Sequence, residues 1–174
     1  VSPAALEAHN RERLLLTRHA MLVLGGWALL NIGAGTAGAL AVGPERPQLQ
    51  AFLAGSAAWN GVNLAIAGLS LWSNLRTDPA RLSLAETLAE GQQLQGLLLL
   101  NAGLDVAYLA AGAWLWERGL RTGGPRLVGF GQALLLQGGF LLLFDVALAL
   151  LHGHLASRLL TPVTVEGASL TLRF

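Results

Sequence analysis

The sequence predicts an all-α membrane protein. The expected architecture is a four-transmembrane-helix bundle made of two parallel helical-hairpin repeats, with long odd-numbered helices projecting from the bilayer and a short β-like C-terminal tail. Three observations predict it. The 174 residues are 53% hydrophobic and only 12% charged, where soluble domains carry roughly 25% charge. Four apolar runs, at about 20–42, 49–72, 94–116 and 127–151, each supply the roughly 20 helical residues that cross a bilayer. Finally, "LLNIG" at 29–33 recurs as "LLNAG" at 99–103. A soluble bundle would need a polar stripe on every helix, and the first two runs contain no charge at all.

The elements follow in order. Ser2 is placed as an N-cap and Pro3 suits the first helical position, where its missing N–H costs nothing. "SPAALEAHNRERLLLTRHA" is amphipathic and lacks an internal proline, so it continues into the first span. A helix of about 40 residues measures ~60 Å, so its first half stands outside the hydrocarbon. "GPERPQ" makes a short connection to the second span. "DPARLSLAETLAEGQQ" repeats the opening device with Asp78 and Pro79, and "ERGLRTGGPR" leads to the fourth span. "NGVNLAIAGLSL" from Asn60 aligns with "QGGFLLLFDVAL" from Gln137, so each half reads as one hairpin. An even number of spans per unit makes the repeats parallel.

Residues 1–160 form the membrane domain and 161–174 the tail. There Ala168, Leu170, Leu172 and Phe174 alternate with Ser169, Thr171 and Arg173, a strand period. Glu166-Gly167 can turn it back on Val163 and Val165. Leu170, Leu172 and Phe174 are the expected oligomer contact, on the edge of a second copy.

Composition excludes several classes. The absence of cysteine removes disulfides and thiolate metal sites. Net charge is +1, with every basic residue an arginine, which lacks the footprint of a nucleic-acid binder. No P-loop, H-E-x-x-H or G-x-S-x-G occurs. Residues 33–38 match G-x-G-x-x-G, but mid-span and with no preceding strand. Gly33, Gly35 and Gly38 therefore read as a close helix-packing face. No catalytic residue and no cofactor is expected.

Chemistry is left to the polar groups inside the spans. The intramembrane cluster is Asn31, Asn60, Asn63, Asn101, Asp105, Tyr108, Gln137 and Asp145, with Gln132 toward one end. Asn101, Asp105 and Tyr108 share one face of the third helix, and Asp145 and His152 one face of the fourth. One reading is structural: these groups hydrogen-bond between helices, with Asn31 and Asn101 paired where the hairpins meet. A second is a proton- or ion-coupled transporter or channel using Asp105 and Asp145. A third is haem or metal binding through His19 and His152, with His154 nearby. Asp105 is the residue that the repeat leaves unexplained, since Gly35 stands at the matching position.

With "HNRERLLLTRHAMLVLGGWALLNIG", "AAWNGVNLAIAG" and "LLLNAGLDVAY" on view, the chain resembles small four-span bacterial membrane proteins of unassigned function. The resemblance implies the fold and carries no activity with it. Lack of cysteine separates it from four-helix thiol oxidoreductases linked to quinones. The leading expectation is a non-enzymatic, self-associating integral membrane protein with a structural role in the bacterial envelope. Its partners are the lipid bilayer and further copies of itself. The chain starts at Val1, which fits a trimmed start or a removed export signal, the latter placing the N-terminus outside the cytoplasm. Arginines near the membrane almost balance between the two sides, so orientation is weakly coded.

Overall fold

Proline opens three of the four helices. The computed structural model describes the backbone of residues 1–171 and the side chains of residues 1–159. Its helices are α1 (Pro3–Val42), α2 (Pro47–Arg76), α3 (Leu84–Thr122) and α4 (Pro125–Thr171). Ser2 caps α1 by accepting from the Ala5 N–H at 3.2 Å, as its position before Pro3 predicts. Gly123, at φ 67°, ends α3 in the left-handed region, and the Gly124 N–H closes the turn on the Gly119 carbonyl at 2.8 Å. That region is open to glycine at no steric cost.

The third helix starts later than Asp78-Pro79 predicts. Asp78 instead builds a turn, accepting from the Ala80 N–H on its side chain and from the Arg81 N–H on its carbonyl. The Asn10 amide donates to the Pro79 carbonyl and pins this turn to α1. The helix begins at a capping box five residues on. Ser83 Oγ accepts from the Glu86 N–H, and the Glu86 carboxylate accepts from the Ser83 N–H at 2.9 Å. The Ser83 hydroxyl, which donates to the same carboxylate at 2.7 Å, and then the Ser83 N–H hold the Glu86 carboxyl below its usual range. The cap therefore stands at neutral pH and weakens as acid protonates the carboxylate.

The expected strand-like tail is also corrected. The backbone is helical through Thr171, and no strand occurs among the described residues. Extending an existing helix gains one hydrogen bond for each residue fixed, whereas a lone hairpin is marginal without a partner edge. The side chain of Leu170, and all of Leu172 and Phe174, lie outside what the structure describes.

At 40 and 39 residues, α1 and α3 have the length expected of the projecting helices. In all four helices the most apolar window is at most 33% buried inside the protein. A water-soluble bundle hides such surface, so these faces meet lipid. The chain is an integral membrane protein of four helical spans.

Packing is uneven. α1 lies on α2, α3 on α4, and α2 against α4 across the middle. α1 also reaches α4, whereas α3 does not pack closely on α2. Met21, Leu24, Ala67, Leu98, Leu141 and Leu148 form the core, with Trp27 stacked on Phe140 at 4.1 Å between ring centres. Outside the apolar zone, polar contacts fasten the projecting end. Thr87 donates to buried Asn10 at 2.8 Å, Arg13 pairs with Glu90 at 2.6 Å, and the Asn74 amide donates to the Leu14 carbonyl.

Candidate functional site

Gln137 sits at the centre of the bundle, 1% exposed. Its side-chain oxygen accepts from Trp27 Nε1 and Asn60 Nδ2, both at 2.9 Å. Its amide nitrogen donates to Asn31 Oδ1 at 2.9 Å. Asn31 in turn donates to the Trp27 carbonyl, Asn60 to the Ser56 carbonyl, and Asn63 to Asn60 Oδ1 at 3.2 Å. One side chain thus ties α4 to both helices of the first hairpin. A group with two acceptor lone pairs and two donor hydrogens suits that place.

The carboxyls stand apart from this network. Asp105 on α3 and Asp145 on α4, 3% and 6% exposed, face each other within hydrogen-bonding reach. Carboxylates only accept, so a bond between them requires one proton held by the pair. Asp105 Oδ2 is buried and has no donor. Both acids line a cavity of about 490 Å³ that fills the gap between α2 and α3 above α4. Asn63, Asn101 and Tyr108 share its wall, and Trp59 meets Tyr108 edge-on at 4.7 Å. Val62 and Ile66 of α2 and Leu97 and Leu104 of α3 line it too, and all four are exposed on the lipid-facing surface. The cavity therefore has a lateral apolar mouth and a carboxyl pair inside. Its volume suits a small organic molecule.

The family model for DUF6992, described as a family of unknown function, matches residues 23–146. The chain belongs to that family. No curated protein and no solved structure matches it. The DUF6992 match takes in the whole amide network and both carboxyls; Thr17 and His152 fall outside it.

The single polar cluster read from the sequence is therefore two sites. Asn31, Asn60 and Gln137 form the amide network; Asn101, Asp105, Tyr108 and Asp145 line the cavity; Asn63 belongs to both. Asn31 and Asn101 do not pair: Asn31 bonds Gln137, while Asn101 is exposed on the cavity wall. The repeat places them alike in sequence, but only the first hairpin turns its Asn toward α4. The glycine face shifts as well. A Cβ at Gly35 would lie 2.6 Å from the Leu53 carbonyl and one at Gly38 3.0 Å from the Leu53 side chain, whereas Gly33 faces open space.

His19 and His154, the exposed candidates, share no pocket with His152 among the described residues. His19 is exposed, His154 lies exposed beside Arg158, and buried His152 contacts Thr17 at 3.3 Å. No metal-suited group of three His, Cys, Asp or Glu side chains occurs among the described residues. Trp27, which bonds Gln137, and Trp59 and Thr17, which line the cavity, are positions that the polar inventory missed. Trp27 stands four residues before Asn31, a spacing that could have flagged it.

The amide hub carries a stability consequence. Gln137→Leu removes three interhelical hydrogen bonds and takes the acceptor from Trp27 Nε1 and from one Asn60 N–H. At ~0.6 kcal/mol per membrane hydrogen bond, the expected loss is about 2 kcal/mol. Unfolding of the variant in detergent, followed by helical circular dichroism, measures it.

Proposed function

We propose that this chain is a small proton-coupled carrier of lipophilic organic cations, with Asp105 and Asp145 as the exchange site. The observation that supports it is the carboxyl pair lining a cavity that opens sideways between α2 and α3. Ionisable side chains inside a bilayer are costly and mark ion or proton pathways. A carboxylate that served only to hold helices together would find donors, and Asp105 Oδ2 finds none. An ammonium supplies the missing donors. The apolar walls and the Trp59–Tyr108 faces accommodate its hydrocarbon part and add cation–π attraction. The pair then alternates: a bound cation displaces the shared proton, and a returning proton releases the cation.

Calorimetric titration of the protein in lipid nanodiscs tests this, comparing n-hexylammonium with the uncharged isostere n-hexanol. Hexylammonium is expected to bind with release of a proton, read from the heats in buffers of different ionisation enthalpy. Equal binding of hexanol, or no proton release, refutes the reading.

Self-association in the bacterial envelope is the second reading, favoured by one observation. Gly26 and Gly33, Gly61 and Gly68, and Gly96 and Gly103 are exposed pairs one heptad apart, each with open space beyond it. Small residues at this spacing let another helix approach closely. Chemical cross-linking in lipid at dilute protein should then give discrete oligomers that Gly33→Leu with Gly103→Leu abolishes. Monomer throughout sinks this reading and leaves the carrier untouched.

A further inference from the structure

We propose that Thr17 and His152 form the proton path between the carboxyl cavity and the aqueous end of the bundle. The inference rests on the carrier reading and adds the route by which its proton comes and goes. Thr17 lines the upper end of the carboxyl cavity. Its hydroxyl oxygen lies 3.3 Å from His152 Nε2. His152 lines a separate pocket of about 190 Å³ with His9, Arg13, Gln92 and Gln95, at the end where the helices leave the membrane. One side-chain contact thus joins two cavities. His152 also lies seven residues beyond Asp145, on the same face of α4, about 10 Å further along the axis.

The hydrogen positions give the step a direction. Thr17 has one hydroxyl hydrogen, which it donates to the Arg13 carbonyl at 3.1 Å. Toward the imidazole it therefore accepts, and His152 carries its hydrogen on Nε2. A proton arriving from water adds to Nδ1. The Nε2–H bond then breaks as an O–H bond forms on Thr17, while the original hydroxyl hydrogen turns from the Arg13 carbonyl to cavity water and passes through it to the Asp145 carboxylate. The neutral ring resets by moving its hydrogen from Nδ1 to Nε2. One N–H is gained and lost on the ring, one O–H is exchanged on Thr17, and one O–H forms on the carboxyl. Groups from every element around His152 bear on this. Burial, then Arg13 and His9 of α1, lower the proton affinity of the ring, so the imidazolium is a transient state that hands its proton on; Arg13 is paired with Glu90 of α3, Gln92 and Gln95 of α3 line the pocket, and Asp145 lies below on α4.

Infrared difference spectroscopy of the protein in nanodiscs, after a pH jump, follows the carbonyl stretch of the protonated carboxyl pair. Thr17→Val keeps the shape and deletes the hydroxyl; it is expected to slow protonation about tenfold or more, as loss of a positioned proton carrier does. Thr17→Ser is expected to restore the rate, which a purely structural role of the threonine methyl would not. His152→Phe should match Thr17→Val. Wild-type rates in both Thr17→Val and His152→Phe overturn the path and leave the carrier reading standing, with protons entering by the lateral mouth. If wild type shows no carboxyl signal that Asp105→Asn removes, the exchange site itself fails and the path with it.

Discussion

The Asp105→Asn/Asp145→Asn double variant is expected to lose hexylammonium binding completely while becoming no less stable. In the proposed carrier the two acids act as one exchange site, so each single variant keeps a carboxylate that can still meet a cation. Single replacements should weaken binding about tenfold, and the double should fall to the hexanol background, a non-additive pattern expected of groups in contact. Asparagine keeps the size of aspartate, and two facing amides can hydrogen-bond each other, so packing survives. A charge in mid-bilayer costs at least ~2.5 kcal/mol, so removing the acids should hold or raise the unfolding midpoint. That combination separates a binding site from polar glue. If the acids were there to fasten α3 to α4, the double variant would unfold earlier and ligand affinity would be beside the point. Titration calorimetry and thermal unfolding on one nanodisc preparation give both readouts.

How much of this was legible beforehand differs residue by residue. The spans were legible because bilayer crossing depends on composition and length alone, which a linear sequence displays. Asp105 stood out because the repeat puts a glycine, Gly35, in its place, and it proves to line the cavity. The start of α3 was misread between two competing signals. Asp78-Pro79 and Ser83-Leu84-Ala85-Glu86 are both good openings, and the Asn10 bond to the Pro79 carbonyl, from a distant helix, decides for the second. Gln137 was visible as one polar residue among several. Its rank as the hub was not, because spacing shows which residues share a helix face and not which neighbour that face meets. The same blindness to helix phase explains why Gly33 was included in the packing face beside Gly35 and Gly38. The cavity comes from a negative fact, that α3 and α2 do not close on each other, and no residue pattern announces a gap.

Gly131→Leu is expected to be strongly destabilising, because it acts on backbone rather than side chains. A Cβ at Gly131 would lie 2.5 Å from the Trp116 nitrogen and 2.6 Å from the Gly112 carbonyl oxygen. Gly112 returns the contact, with its own Cβ position 2.9 Å from the Gly131 carbonyl. Neither neighbour is a flexible side chain that can swing aside, so α3 and α4 have to move apart. Without a hydrophobic drive between helices in lipid, association depends on such close approach. Overpacking of a tight interior costs about 1–3 kcal/mol and more where backbone must shift, so the loss should exceed that of Gln137→Leu. The consequence reaches the candidate site, since Asp105 and Asp145 sit on the two helices that Gly131 holds together. The variant should therefore lose hexylammonium affinity along with stability, whereas Gln137→Leu, which loosens α4 from the other hairpin, should spare much of the affinity. Gly139, whose Cβ position has nothing within 4 Å, supplies the control: Gly139→Leu on the same helix should leave both measurements near wild type. An unfolding midpoint for Gly131→Leu equal to that of Gly139→Leu would show that α3 and α4 are not seated on each other as closely as these glycines allow.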